Sequence, residues 1–146
     1  MRALIQRTDG VELFIDNNLY SQSGRGLLVL FGTKTGDSIS GIPKLADKTV
    51  NLRIFEDDEG KMNLSCLDIQ GEIMVVSQFT LYANTQKGRR PSFNDAMEPR
   101  EAEEFYKAYI AALETYELKI STGSFGAGMD VRFNNNGPVT ILIDHE

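Results

Sequence analysis

From Gly26 to Gly32 the chain reads Gly-Leu-Leu-Val-Leu-Phe-Gly, five apolar residues in a row between two glycines. A strand with one wet face alternates apolar and polar residues, whereas a short unbroken apolar run bounded by turn residues suits a strand covered on both faces. The segment is therefore read as a core strand carrying no chemistry. With 146 residues in all, one domain over 1–146 organised round one core is expected, since two full domains would not fit.

Around that strand the chain alternates short strand patterns with two helical ones. Ala3 to Ile15 carries β-branched and aromatic residues on both sides of Asp9-Gly10 and predicts a hairpin. Ile42, Leu45, Ala46 and Val50 fall at helical spacing within Ser38 to Arg53, with Pro43 acceptable only in a first turn. Glu72 to Ala83 begins as a β-branched run and continues through polar Ser77, Gln78 and Thr80. Pro99 opens a second helix whose apolar face runs through Ala102, Phe105, Tyr106, Tyr109, Ile110, Leu113 and Tyr116. Glu98 before it is a weak cap by ordinary preference. Lys119 to Thr122, Asp130 to Asn134 and Val139 to Asp144 predict three more strands. The expected fold class is α+β, a single mostly antiparallel, barrel-like sheet with two helices.

Composition removes several chemistries. The chain has one cysteine, Cys66, and one histidine, His145 next to the C-terminus. No intramolecular disulfide or Cys-based zinc site can form, and an internal imidazole base is missing, so Ser-His-Asp and Cys-His catalysis are not expected. The acidic run Glu56-Asp57-Asp58-Glu59 lacks calcium-loop spacing and reads as a solvated turn. A formal net charge of −6 argues against a protein that coats nucleic acid, and DNA is not an expected partner. No apolar stretch approaches the ~20 residues of a spanning helix, and no signal peptide is visible at Met1-Arg2-Ala3-Leu4, so a soluble, unprocessed, cytoplasmic protein without membrane contact is expected.

Four segments hold residues that could act on a ligand, each with a structural alternative. Gly123-Ser124-Phe125-Gly126-Ala127-Gly128 lacks the ending of a phosphate loop and reads first as a turn, although Phe125 within it could stack on a base. Gln86 to Arg100 concentrates Lys87, Arg89, Arg90 and Arg100, either a solvated loop or a phosphate contact, with Phe93 anchoring the loop to the core. Ser77-Gln78-Phe79-Thr80 is either a hydrogen-bonded strand end or a ring of donors round a reacting carbonyl. Asn135-Asn136-Gly137-Pro138-Val139-Thr140 reads as a turn into the last strand; were the Gly-Pro bond cis, neighbouring carbonyls would point alike and could receive an ammonium group.

Taken together, Ser77-Gln78-Phe79-Thr80-Leu81 and Asn135-Asn136-Gly137-Pro138-Val139-Thr140 resemble the paired signatures of D-aminoacyl-tRNA deacylases. Ala3-Leu4-Ile5-Gln6-Arg7, Gly26-Leu27-Leu28-Val29, Arg53-Ile54-Phe55, Gly60-Lys61-Met62-Asn63-Leu64, Arg90-Pro91-Ser92-Phe93 and Thr122-Gly123-Ser124-Phe125 are similar to the family in the same order. The resemblance implies a homodimer that cleaves the ester of D-aminoacyl-tRNA at the acceptor end, with no metal or cofactor. It implies a site floored by Ser77, Gln78, Phe79 and Thr80 and completed by the partner's cis Gly137-Pro138 bond. Arg7 would hold that motif in orientation, Phe125 and Met129 would line the pocket, and Lys87, Arg89 and Arg90 would meet the tRNA. Two rival readings remain at this point: a non-catalytic module binding RNA ends or peptides, and an esterase or peptidase acting on small D-amino-acid compounds.

Overall fold

The computed structural model describes residues 1–145. In chain order the strands are β1 Arg2–Thr8, β2 Val11–Ile15, β3 Asn18–Ser23, β4 Gly26–Gly32, β5 Phe55–Glu56, β6 Met62–Leu64, β7 Glu72–Ser77, β8 Ile120–Thr122, β9 Asp130–Phe133 and β10 Thr140–Asp144. Helix α1 spans Ile42–Asn51 and α2 spans Pro99–Glu114, with 3₁₀ turns at Ile39–Gly41 and Phe79–Tyr82. The strands form a five-stranded sheet in the order β10-β1-β4-β7-β8, a three-stranded sheet β3-β2-β9 and a pair β5-β6. The α+β class and the two helices are as expected, but among the described residues no sheet closes, so the barrel-like detail is not confirmed. Pairing is mostly antiparallel, with β4-β7 and β7-β8 parallel.

The central strand β4 is covered on both sides. Leu27, Val29 and Phe31 face a core shared with Leu45, Ala46 and Val50 of α1 and with Phe105, Tyr109 and Leu113 of α2. Phe31 stacks on Tyr109 at 4.6 Å, and the Tyr109 hydroxyl meets Thr49 Oγ1 at 2.7 Å, so these two buried hydroxyls satisfy one another. Leu28 points the other way, into a second cluster with Met74, Val76, Val11 and Leu13, where the three-stranded sheet lies across the first. Each such side chain contributes about 1.5–3 kcal/mol on burial, which is why an unbroken apolar run is stable here and an alternating one would not be.

Several local expectations change. No β1-β2 hairpin forms: β1 pairs with β4 and β10, β2 with β3 and β9, and Asp9-Gly10 is the corner where the chain leaves one sheet for the other. The strand beginning at Glu72 stops at Ser77, where Gln78 N donates to Phe31 O at 2.7 Å and the chain then closes a 3₁₀ turn. Helix α2 ends at Glu114, before Tyr116, and Glu98 does cap it, its carboxylate accepting from the amides of Arg100 and Glu101 at 3.1 and 3.4 Å. Pro43 sits in the first turn of α1 as expected. The acidic run is a turn joining β5 and β6, with Asp57 Oδ1 accepting from the amides of Glu59 and Lys61. No helix among the described residues is long and apolar enough to cross a membrane.

Candidate active site

The C-terminal ends of β4 and β7 lie side by side, and beyond them opens a cavity of about 610 Å³. Phe31, Gly32, Val76, Ser77, Gln78 and Phe79 form its floor, the approach to α2 from Ala96 to Ala102 one wall, and Phe125, Gly126, Ala127 and Met129 the opposite wall. The two strand ends can approach because residue 32 is glycine: a Cβ there would stand 2.7 Å from the Gln78 carbonyl oxygen. Phe79 is 54 % exposed and meets Phe93 edge-on at 5.0 Å. Phe93 thus lines the cavity rim rather than anchoring its loop in the core.

The polar side chains lining this cavity are those of Thr33, Ser77, Gln78 and Glu98. Among its lining residues Glu98 alone has a titratable side chain, and that carboxylate is engaged in capping α2. The first N–H groups of a 3₁₀ turn have no acceptor within it, and those positions are held by Phe79, which lines the cavity, and by Thr80 next to it in the chain. Thr80 is not among the lining residues, and its hydroxyl accepts from Gln78 Nε2. Behind Phe125 the Tyr106 ring lies 5.9 Å away, its hydroxyl donating to Val75 O at 2.8 Å, and burial pushes that phenol up to about 12. His145 is far from this chemistry, with its amide and carbonyl both bonded to Met1.

The Gly137-Pro138 peptide bond is cis, and neither residue lines the cavity of its own chain. The exposed loop that carries it is held from every side. Arg7, buried to 8 % exposure, donates through Nε to Asn136 O at 2.8 Å and through a terminal nitrogen to Ile54 O at 2.6 Å. Asn136 N donates to Arg7 O, and Arg7 N to Val139 O. Asn135 bridges the loop's far end, accepting from Val139 N and donating to Thr140 Oγ1. Among the described residues the carbonyls of Gly137 and Pro138 accept no hydrogen bond. They are two unpartnered acceptors on an exposed loop tied down by the hydrogen bonds of Arg7 and Asn135.

The family profile described as D-Tyr-tRNA(Tyr) deacylase matches residues 4–144. The chain is 51% identical to a D-aminoacyl-tRNA deacylase of Aquifex aeolicus and 49% identical to one of Clostridium botulinum, each match covering 99% of this chain and 97% of the relative. The chain belongs to the D-Tyr-tRNA deacylase family. Its fold follows a solved structure titled c-Myc DNA Unwinding Element Binding Protein, with a TM-score of 0.93, 39% identity and 100% and 99% of the two chains covered. Family membership makes this chain an ester hydrolase of the aminoacyl-tRNA class.

The structure brings Ser77, Gln78, Phe79, Phe125 and Met129 together round one cavity and sets Arg7, Gly137 and Pro138 apart from it. Lys87, Arg89 and Arg90 lie on an exposed loop pinched by reciprocal hydrogen bonds between Asn84 and Ser92, and none of them lines the cavity. Sequence reasoning missed Gly32, Met97, Ala102 and Val131 as walls. The glycine closing the apolar run at position 32 was the readable signal for the first; the others are ordinary apolar residues until the fold assembles them.

Proposed function

We propose that the protein hydrolyses the ester joining a D-amino acid, or glycine, to the terminal ribose of tRNA, and works as a homodimer in which the Gly137-Pro138 loop of one chain completes the other chain's cavity. The observation that carries this reading is the pair of unpartnered carbonyls on a clamped loop that does not line its own cavity. A substrate ammonium supplies the donors those carbonyls lack.

With the ammonium held by Gly137 and Pro138 and the ester carbonyl by amides of the Ser77–Thr80 segment, two substituents of the substrate α-carbon are placed. A D residue then sends its side chain toward solvent and an L residue drives it into main chain, so selection works by excluding the L form. Glycine has nothing to exclude. The cavity walls offer no free base, so the vicinal ribose hydroxyl assists the attacking water. Water adds to the carbonyl carbon, the C–O bond to the ribose breaks, and the ribose oxygen takes the proton. Amide donors aimed at the developing oxyanion contribute ~3 kcal/mol each. Thr80→Ala accordingly keeps substantial activity, and tRNA ending in deoxyadenosine is a poor substrate.

Lys87, Arg89 and Arg90 contact the single-stranded acceptor end in the cytoplasm, and few phosphates are neutralised, so binding weakens only moderately with salt. The reaction removes mischarged D residues before translation uses them. Incubating the purified protein with D-tyrosyl-, L-tyrosyl- and glycyl-tRNA tests the reading: D and glycyl esters are cleaved and the L ester persists. Binding without turnover points to an RNA-end module instead, and equal cleavage of a tRNA-free D-amino-acid ester points to a general esterase.

A further inference from the structure

The corner at Asp9-Gly10, left without a role once no hairpin forms there, lies against the Gly137-Pro138 loop. Asp9 Oδ2 accepts from Asn134 Nδ2 at 2.7 Å and Asp9 Oδ1 from Asn136 Nδ2 at 2.8 Å, one carboxylate oxygen for each asparagine. The orientation of the Asn134 amide is settled by its other end, since its Oδ1 accepts from Asp9 N at 3.0 Å and Thr8 Oγ1 at 3.2 Å. Only its nitrogen is left for the carboxylate. Asn135, between them, turns to the opposite side of the loop. Asn136 is therefore held by its amide, its carbonyl and its side chain at once, immediately before Gly137.

We propose that Asp9 is a positioning residue of the chiral filter, its carboxylate bridging Asn134 and Asn136 so that the carbonyls of Gly137 and Pro138 stand where only a D or glycyl substrate fits. This rests on the function proposed above. A filter that works by steric exclusion is only as selective as its wall is fixed, because a loop free to retreat admits the L side chain. Arg7 holds the loop's backbone and Asp9 its side chains. The two act from the start and the end of one short corner, and Arg7 and Arg25 are the charged groups whose fields reach the carboxylate.

Donor and acceptor complementarity provides the test. Asp9→Asn places an amide nitrogen against one of two amide donors, and Asn136→Asp places a carboxylate against a carboxylate. Each single variant is expected to lower the ratio of D- to L-aminoacyl-tRNA deacylation by on the order of tenfold. The double exchange Asp9→Asn with Asn136→Asp restores the pairing, with Asn at 9 accepting from Asn134 and donating to the new carboxylate, and so restores the ratio. Single variants that stay as selective as the wild type, or that merely melt at lower temperature with the ratio unmoved, overturn the role, as does a double exchange no better than the singles. A wild-type protein that fails to distinguish D from L sinks the proposed function itself, an outcome separate from selective wild type with equally selective variants.

Discussion

Gly137→Ala is a perturbation whose size can be worked from the structure. Residue 137 has φ +141°, a conformation that L side chains rarely adopt, and an added Cβ would stand 2.7 Å from Val139 Cγ2, 2.9 Å from Val139 N and 3.1 Å from an Arg7 terminal nitrogen. The backbone strain alone costs about 1–3 kcal/mol. Crowding adds to it, because Val139 N is main chain and sits half an ångström inside the 3.4 Å at which ordinary contact begins. Gly36→Ala is the matched control, with φ +88° and nothing within 4 Å of its Cβ. Both variants should lose stability in urea denaturation, Gly137→Ala by more. Only Gly137→Ala should move the loop, and a shift of that size costs on the order of tenfold in D-aminoacyl-tRNA deacylation. A Gly137→Ala protein with wild-type turnover and no more destabilised than Gly36→Ala would mean that the close contacts at residue 137 do not fix the loop.

Three further outcomes follow from other contacts. Arg7→Met removes two hydrogen bonds from a buried guanidinium to the carbonyls of Asn136 and Ile54; at 1.5–3 kcal/mol for each charged bond the loss is about 3–6 kcal/mol by denaturant titration, and a loss below about 1 contradicts the clamp. Gly32→Ala sets a Cβ 2.7 Å from Gln78 O, so deacylation should fall roughly tenfold with an unchanged circular dichroism spectrum; full activity means the strand ends need not approach so closely. Burial raises the Tyr106 hydroxyl from 10.0 to about 12, so the folded state favours the protonated form: its contribution is complete below pH 10 and is lost as pH rises toward 12. Tyr106→Phe should flatten that part of the stability curve while Gly123 N still serves Val75 O, and superimposable curves for the two proteins would rule the assignment out.

How much of this was legible beforehand depends on how local each cause is. The doubly covered β4, the α1 stripe through Leu45 and Val50 and the α2 stripe through Phe105 and Tyr109 were readable because periodicity reports burial directly. Asp9-Gly10 misled because a turn signal says that the chain bends and nothing about which strands it joins afterwards. Strand β3 went unread since Asn18 to Ser23 is polar and largely exposed, and β5 at Phe55–Glu56 is too short to show a period. The glycine-rich stretch and the Ser77–Thr80 segment each read as turn or site, and the cavity between them comes from parallel pairing of β4, β7 and β8 that no local pattern encodes. The Asp9 clamp joins residues 125 and 127 positions apart in the chain and became visible only in three dimensions.

In the dimer proposed above each site is assembled from two chains, the floor from one and the chiral wall from the other. Mixing denatured Gly137→Ala and Gly32→Ala chains and refolding them together tests it most directly. If loop and floor meet across the interface, each mixed dimer holds one doubly altered and one intact site, and activity should return to about a quarter of the wild-type level on random pairing. Mixed dimers that form and remain as inactive as either parent would place loop and floor in the same chain and contradict the claim.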